Sequence, residues 1–401
     1  MLTSHRVKHF VKLGLALVLF AQPSAQIFAL SKTPDLGSNA TNIQPTEDYV
    51  EPEEYPQKLK DWYAQNMDAR SYIAVDAETH RVLAQKEGNT PYPIASMSKV
   101  ISIYLVYKAL DEGALKMDQM ITVSDAIAEG IASNVNLSNV GLVAGVEYSV
   151  EDLIYGVMLE SGNDATSALM WEIYGSEEAA VQAIRDQLQA WNITNFQFYS
   201  TSGAPNEELP ESLWVAGSGV DDENIMSASD VALMTQYAVE AYPAILDVTS
   251  TPEYLFKEGT EYERPLYNPN LLLPGALYGR EGNLGVKSGF TDDAGRNFVA
   301  VGDENGRRIV SVVMGVVGED PSTGEPLTAY WDQEILLDGL LDYPELYQNE
   351  NLPTNLPAEP EPEEVEEEAG EATEEPADPN LENRRDNPLT NFMRNIFSIF
   401  N

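Results

Sequence analysis

The chain has 401 residues, 43% of them hydrophobic, enough for a substantial core in one large domain or two. It has no cysteine and three histidines, which excludes disulfides, thiol nucleophiles, cysteine-ligated zinc and multi-histidine metal sites. The formal charge of −42 argues against nucleic acid as a partner, since such binders carry a basic face.

Residues 1–29 have the layout of a secretory signal peptide. Arg6, Lys8 and Lys12 precede an apolar stretch over 13–21, and the small residues Ser24, Ala25 and Ala29 fit cleavage after Ala25 or Ala29. A retained anchor is the alternative, although the stretch is short for a span of about 20 residues. Residues 30–57 form an acidic, Pro-rich lead-in. The main domain is expected over 58–348. SYIAVD (71–76) and RVLAQ (81–85) read as two strands around a tight turn that holds His80, a solvated turn residue on this reading. A largely helical region runs from 96 to about 246. Strand patterns return with LGVKSGF, RNFVAVGD and, after an ENG turn, RIVSVVMGVV; a last helix covers 330–341. These patterns predict an α+β fold, one antiparallel sheet formed from both ends of the domain with a helical region inserted.

Two segments follow the domain. Residues 349–382 are acidic and Pro/Glu-rich, with eleven acidic and no basic residues over 359–378, the composition of a disordered tether. Within 383–401, Leu389, Phe392, Met393, Ile396, Phe397 and Phe400 share one helical face. This predicts an amphipathic anchor helix on a membrane surface, the outer leaflet being the expected one; docking on the protein's own core is the alternative.

The chemistry centres on PIASMSK. Ser96 and Lys99 are three residues apart, which puts their side chains on one helical face about 5–6 Å apart at Cβ. The prolines of TPYPIA force an extended approach, so Ser96 falls at a helix start with its N–H available to an oxyanion. A serine hydroxyl needs a base, and with cysteine absent and histidine nearly so, that base is lysine, carboxylate or tyrosine. Lys99 could serve if burial and a second cation lowered its pKa. LESGNDAT adds Ser161 and Asn163 on a tight turn; GVKSGFT adds Lys287 and Ser288 on a strand, with Gly289 allowing close backbone approach. Singly, each has a bland reading: a helix cap for Ser161 and Asn163, a guarded edge strand for Lys287 and Ser288. Together, in this order, they form a strong signal.

With these motifs the chain resembles the serine D-Ala-D-Ala carboxypeptidases, the low-molecular-mass penicillin-binding proteins. The likeness spans about 72–341 and includes PIASMSK, YSVEDLIYGVMLESGNDA, STSGAPN, NPNLLLPG and GVKSGFTDDAGRNFVA. The family usually has threonine where Ser288 stands. Many members carry a β-rich second domain where this chain has only the acidic tether. The resemblance implies that Ser96 is the acylated nucleophile and Lys99 its proton acceptor. Ser161 and Asn163 would relay protons and orient the substrate amide, and Lys287 and Ser288 would hold the terminal carboxylate. The N–H groups of Ser96 and Phe290 would line the oxyanion hole, beside Gly289. It implies no metal or other cofactor, a peptidoglycan stem peptide ending in D-Ala-D-Ala as substrate, β-lactams as covalent inhibitors, and a place on the extracytoplasmic face of the membrane. Two alternatives stay open, a serine β-lactamase and a non-catalytic, membrane-tethered wall-binding protein. NEELPESLW lacks the Glu-x-x-Leu-Asn pattern that class A β-lactamases carry after SxN.

Overall fold

The structure, a computed structural model, describes residues 53–320 and 323–357. The expected signal peptide, the lead-in up to 52, the expected tether beyond 357 and the expected anchor helix lie outside the described residues. Among the described residues, no helix is long and apolar enough to cross a membrane.

In chain order, helix α1 (Gln57–Asn66) precedes strands β1 (Ser71–Asp76), β2 (Val82–Lys86) and β3 (Pro91–Pro93). The inserted region holds α2 (Lys99–Asp111), β4 (Met120–Thr122), β5 (Glu147–Ser149), α3 (Val150–Leu159), α4 (Asn163–Tyr174) and α5 (Glu177–Ala190). It continues through β6 (Ile225–Ser227), α6 (Ala228–Ala241), α7 (Ala244–Thr249) and the hairpin β7 (Glu253–Phe256) and β8 (Arg264–Tyr267). The chain then returns as β9 (Asn283–Thr291), β10 (Gly295–Glu304), β11 (Arg307–Val316) and α8 (Ala329–Leu341).

The main sheet runs β2-β1-β11-β10-β9, every pairing antiparallel. It unites both ends of the domain, as the sequence predicts. Every residue of β1 is buried, because helices cover both faces of the sheet. Side chains alternate between two cores, as the strand period of two requires. Ile73, Val75, Val299 and Val301 face the inserted helices, whereas Tyr72, Ala74, Phe298 and Ala300 face α1 and α8. Tyr63 of α1 spans the second layer, donating its hydroxyl to Leu336 O at 2.8 Å. The ENG turn is a tight hairpin in which Asn305 (φ 52°) and Gly306 (φ 76°) are both left-handed, the backbone that matches sheet twist.

Two details depart from the sequence reading. His80 does sit in a turn, with φ 56°, but its ring is half-buried against Gln236 of α6. Residues 349–357, assigned to the tether, dock at the start of β2: Val82 N donates to Pro353 O, Asn355 N donates to His80 O, and Leu352 is 1% exposed. Polar composition concealed that docking, because backbone groups carry it.

Candidate active site

Ser96 lies in a 3-10 turn, Ala95–Ser98, that runs directly into α2. The sequence places Ser96 at the start of an α-helix; the tighter turn brings it closer to Lys99, because positions i and i+3 eclipse at three residues per turn. Lys99 Nζ is 2.8 Å from Ser96 Oγ, and Lys99 is fully buried. The turn is held under strain. Ala95 has φ 48°, a left-handed backbone that costs a residue with a Cβ on the order of 1–3 kcal/mol. Its carbonyl accepts from Ser98 Oγ at 2.7 Å, and Ser98 Oγ in turn accepts from Asn224 Nδ2 at 2.9 Å.

Two further groups fix the amine. Lys99 Nζ donates to Asn163 Oδ1 at 2.8 Å and to Ser202 O at 2.7 Å. A neutral amine has two N–H bonds and one lone pair. In that neutral form, with both N–H bonds directed at these acceptors, the lone pair faces the Ser96 hydroxyl. Burial and the Lys287 ammonium favour that form, holding the amine well below the usual lysine range, with the Asp164 carboxylate opposing them. Burial alone lowers Lys287, to about 7.

Asn163 opens α4 and is itself anchored, both its N and its Nδ2 lying 2.8 Å from Ser138 O. Next to it, the buried Asp164 carboxylate accepts from Val140 N, Gly141 N and Leu142 N and so holds the 138–142 segment in place. Burial raises the Asp164 pKa while these N–H groups lower it. Ser161, two residues before Asn163, is half-buried with φ 59°, a second strained residue within a motif.

Strand β9 forms the opposite wall. Gly289 sits so tightly against the serine turn that a Cβ there would lie 2.6 Å from Ile94 O and 3.2 Å from Ser96 N. The close approach that the glycine permits is therefore to the protein's own backbone as well as to any ligand. On the far side of the turn, a Cβ on Gly203 would fall 1.9 Å from Ala95 O. Register separates the two polar residues of KSG. Lys287 pairs with Val299 and faces the inserted helices; Ser288 pairs with Phe298 and faces the α8 layer. The Ser288 hydroxyl is hydrogen-bonded to Tyr330 of α8, and burial pushes that phenol up to about 12. Lys287 Nζ donates to Ser288 O at 3.1 Å. Phe290 is half-exposed, its ring covered by the Arg296 guanidinium 5.6 Å away.

Ser96, Lys99, Asn163, Lys287 and Gly289 thus converge, while the Ser288 hydroxyl points to the other layer. Sequence reasoning missed Ser202, Asn224 and Tyr330. Asn224 is buried and ties three segments together: it donates to Ser98 Oγ and Ser200 O, and it accepts from Tyr199 N, Ser200 N and, at its own carbonyl, Ile94 N. Only STSGAPN hinted at this region, and Ser202 acts through a main-chain carbonyl that no side-chain pattern marks.

A two-layered α+β domain with a lysine amine aimed at a serine on the turn before a central helix defines the penicillin-binding class of serine peptidase folds. The chain belongs to the D-alanyl-D-alanine carboxypeptidase family, whose profile matches residues 58–318. D-alanyl-D-alanine carboxypeptidase DacF of Bacillus subtilis is 29% identical over 248 residues, covering 62% of this chain and 57% of that protein. DacA of Escherichia coli is 29% identical over 251 residues, covering 62% of this chain and 56% of that protein. The chain therefore spans little more than half the length of these relatives. Among solved structures, a peptidoglycan synthesis regulatory factor (PBP3) from Streptococcus pneumoniae matches with TM-score 0.63 and 33% identity over 68% of this chain and 73% of that one. Penicillin-binding protein D2 from Listeria monocytogenes, in its ampicillin-bound form, shares the fold at TM-score 0.53 and 22% identity, over 68% of this chain and 97% of that one.

Proposed function

We propose that the protein is a serine D-alanyl-D-alanine carboxypeptidase that removes the terminal D-Ala from peptidoglycan stem pentapeptides through an acyl-enzyme. The observation that carries this reading is the buried Lys99 amine, held by Asn163 Oδ1 and Ser202 O and 2.8 Å from Ser96 Oγ.

Ser96 Oγ attacks the carbonyl carbon of the penultimate D-Ala as its proton passes to Lys99. The oxyanion that forms is met by the N–H groups of Ser96 and Phe290. Lys99, with Ser161 as relay, protonates the leaving amine; the C–N bond breaks and D-alanine departs. Water then attacks the ester, giving its proton to Lys99, and Ser96 regains a proton. Asn163 orients the substrate amide. Lys287 faces the terminal carboxylate, a charge-assisted contact favoured in an otherwise anionic protein. Ser288 joins it if its hydroxyl turns from Tyr330. A β-lactam offers a strained amide to the same serine and leaves an acyl group attached.

Stem peptides lie outside the cytoplasmic membrane, so this substrate requires export. The signal-like pattern of 1–29 supports export, and the apolar stripe within 383–401 supports peripheral attachment to the outer face of the membrane.

The test is release of D-alanine from a pentapeptide ending in D-Ala-D-Ala, with mass spectrometry of the penicillin adduct. The expected adduct is on Ser96, and Ser96→Ala abolishes both signals. An adduct on another residue overturns the assignment. Rapid turnover of penicillin without D-alanine release favours a β-lactamase instead.

A further inference from the structure

The Lys99 lone pair faces Ser96 only while its two N–H acceptors stay in place, and those acceptors belong to different elements. Asn163 Oδ1 stands on α4; Ser202 O stands on the 199–204 loop. One buried carboxylate joins these two elements. Glu177, the first residue of α5, is 6% exposed. Its Oε1 accepts from Thr201 N at 2.6 Å and from Thr201 Oγ1 at 2.9 Å. Its Oε2 accepts from Trp171 Nε1 at 2.6 Å, and the Ser167 hydroxyl also bonds the carboxylate.

Ser167 and Trp171 follow Asn163 by four and eight residues, so all three share one face of α4. Thr201 immediately precedes Ser202, and its carbonyl is pinned from the other side by Ser102 Oγ of α2, at 2.6 Å. The Glu177 carboxylate therefore grips the helix carrying one acceptor and the loop carrying the other. Burial raises the Glu177 pKa, while the hydrogen bonds from Thr201, Trp171 and Ser167 oppose that shift.

We propose that Glu177 is a positioning residue for the Ser96–Lys99 pair, fixing the spacing between Asn163 Oδ1 and Ser202 O and through it the direction of the Lys99 lone pair. This rests on the reading of Lys99 as the base. A carboxylate that merely holds the fold would affect the amount of folded protein and leave the chemistry of the folded fraction alone.

The experiment compares Glu177→Gln, Ser102→Ala and Lys99→Ala in the full chain, by D-alanine release, penicillin labelling and thermal unfolding. Glutamine presents an amide NH₂ to groups that are already donors, so the grip on Thr201 and Trp171 loosens. For Glu177→Gln, kcat and the labelling rate fall about 10- to 100-fold, the size of effect a small misplacement of a catalytic group produces. KM stays within about twofold, because no contact to substrate is removed. The acid limb of the pH–rate profile moves to lower pH, since the ammonium form of Lys99 loses an acceptor that the neutral amine needs less. Unchanged kcat in folded Glu177→Gln overturns the proposal, as does a loss of kcat with the acid limb unmoved. Ser102→Ala acts on the same loop from the opposite side and shows the same changes in smaller degree. It decides the matter if Glu177→Gln does not fold: unchanged kcat and pH limb in Ser102→Ala then overturn the proposal. Near-normal labelling in folded Lys99→Ala breaks the base assignment itself. Inactive Lys99→Ala beside a normal Glu177→Gln breaks only the role given to Glu177.

Discussion

Two regions of this domain bury positive charge, and they do so in opposite ways. Behind the sheet, Arg280 donates to Glu304 through Nε and Nη2 and to Asp338 through Nη1, at 2.7–2.8 Å; burial lowers its pKa, but these partners together outweigh burial and hold it above the ordinary arginine value. In front of the sheet, Lys99 and Lys287 are buried together. Lys99 bonds only neutral groups, Lys287 bonds a backbone carbonyl, and both pKa values fall. A cation surrounded by carboxylates is a structural tie, whereas one deprived of them becomes a base or a vacancy for a substrate's anion. The same burial that would be a fault at Arg280 is the working condition at Lys99.

The largest expected effect lies at the front. Lys99→Ala should cost roughly 10²–10⁴ in acylation rate, the usual worth of a proton-transfer group, while thermal unfolding changes little. Penicillin labelling of the folded variant measures this, and near-normal labelling would place the base elsewhere.

Behind the sheet the effects should reverse. Arg280→Met leaves two partly buried carboxylates facing each other and should cost about 3 kcal/mol of stability, the low end for breaking a buried pair. Turnover per folded molecule should not change. Denaturant unfolding together with D-alanine release checks both halves, and a drop in kcat at full folding would erase the contrast.

A smaller effect concerns Lys287. Burial lowers its pKa to about 7, so its ammonium should be lost as pH rises through that value. The kcat/KM for peptides ending in a free carboxylate should therefore fall as pH rises through that value, while a C-terminally amidated analogue shows no such limb. Lys287→Gln should remove the limb. If it persists in that variant, another group holds the carboxylate.

The smallest effect sharpens the back of the sheet. Asp332 is fully buried, accepts from Asp68 N and Ala69 N, and is pushed by burial from 3.8 up to about 7. A carboxyl whose pKa is raised on folding contributes stability that is complete below its unfolded pKa and lost as pH rises through the folded one. Stability should thus decline between about pH 4 and about pH 7, by at most about 1.4 kcal/mol for each pH unit separating the two values. Asp332→Asn should flatten that slope in thermal melts. An unchanged slope would assign it to other groups, of which Glu223, also raised to about 7, is the first to test.

The sequence by itself determined the strands, since alternating apolar residues such as those of SYIAVD and RNFVAVGD require a sheet with two buried faces. It determined the serine–lysine pair too, because three-residue spacing is a local property of any helical turn. Absence spoke as clearly as presence: without cysteine, and with His80 alone in the body of the chain, few groups remained to activate a hydroxyl. What composition and spacing could not determine is which groups meet across the fold. Ser202 acts through a carbonyl and is therefore invisible as a residue type. Nothing in the sequence singles out Asn224 or Glu177 until α4, the 199–204 loop and the serine turn close around them. Ser288 reads as a partner of Lys287 because they are neighbours in the chain. The register of β9 against β10 sends the two side chains to opposite faces of the sheet, and only tertiary structure decides that the face given to Ser288 holds the hydroxyl of Tyr330.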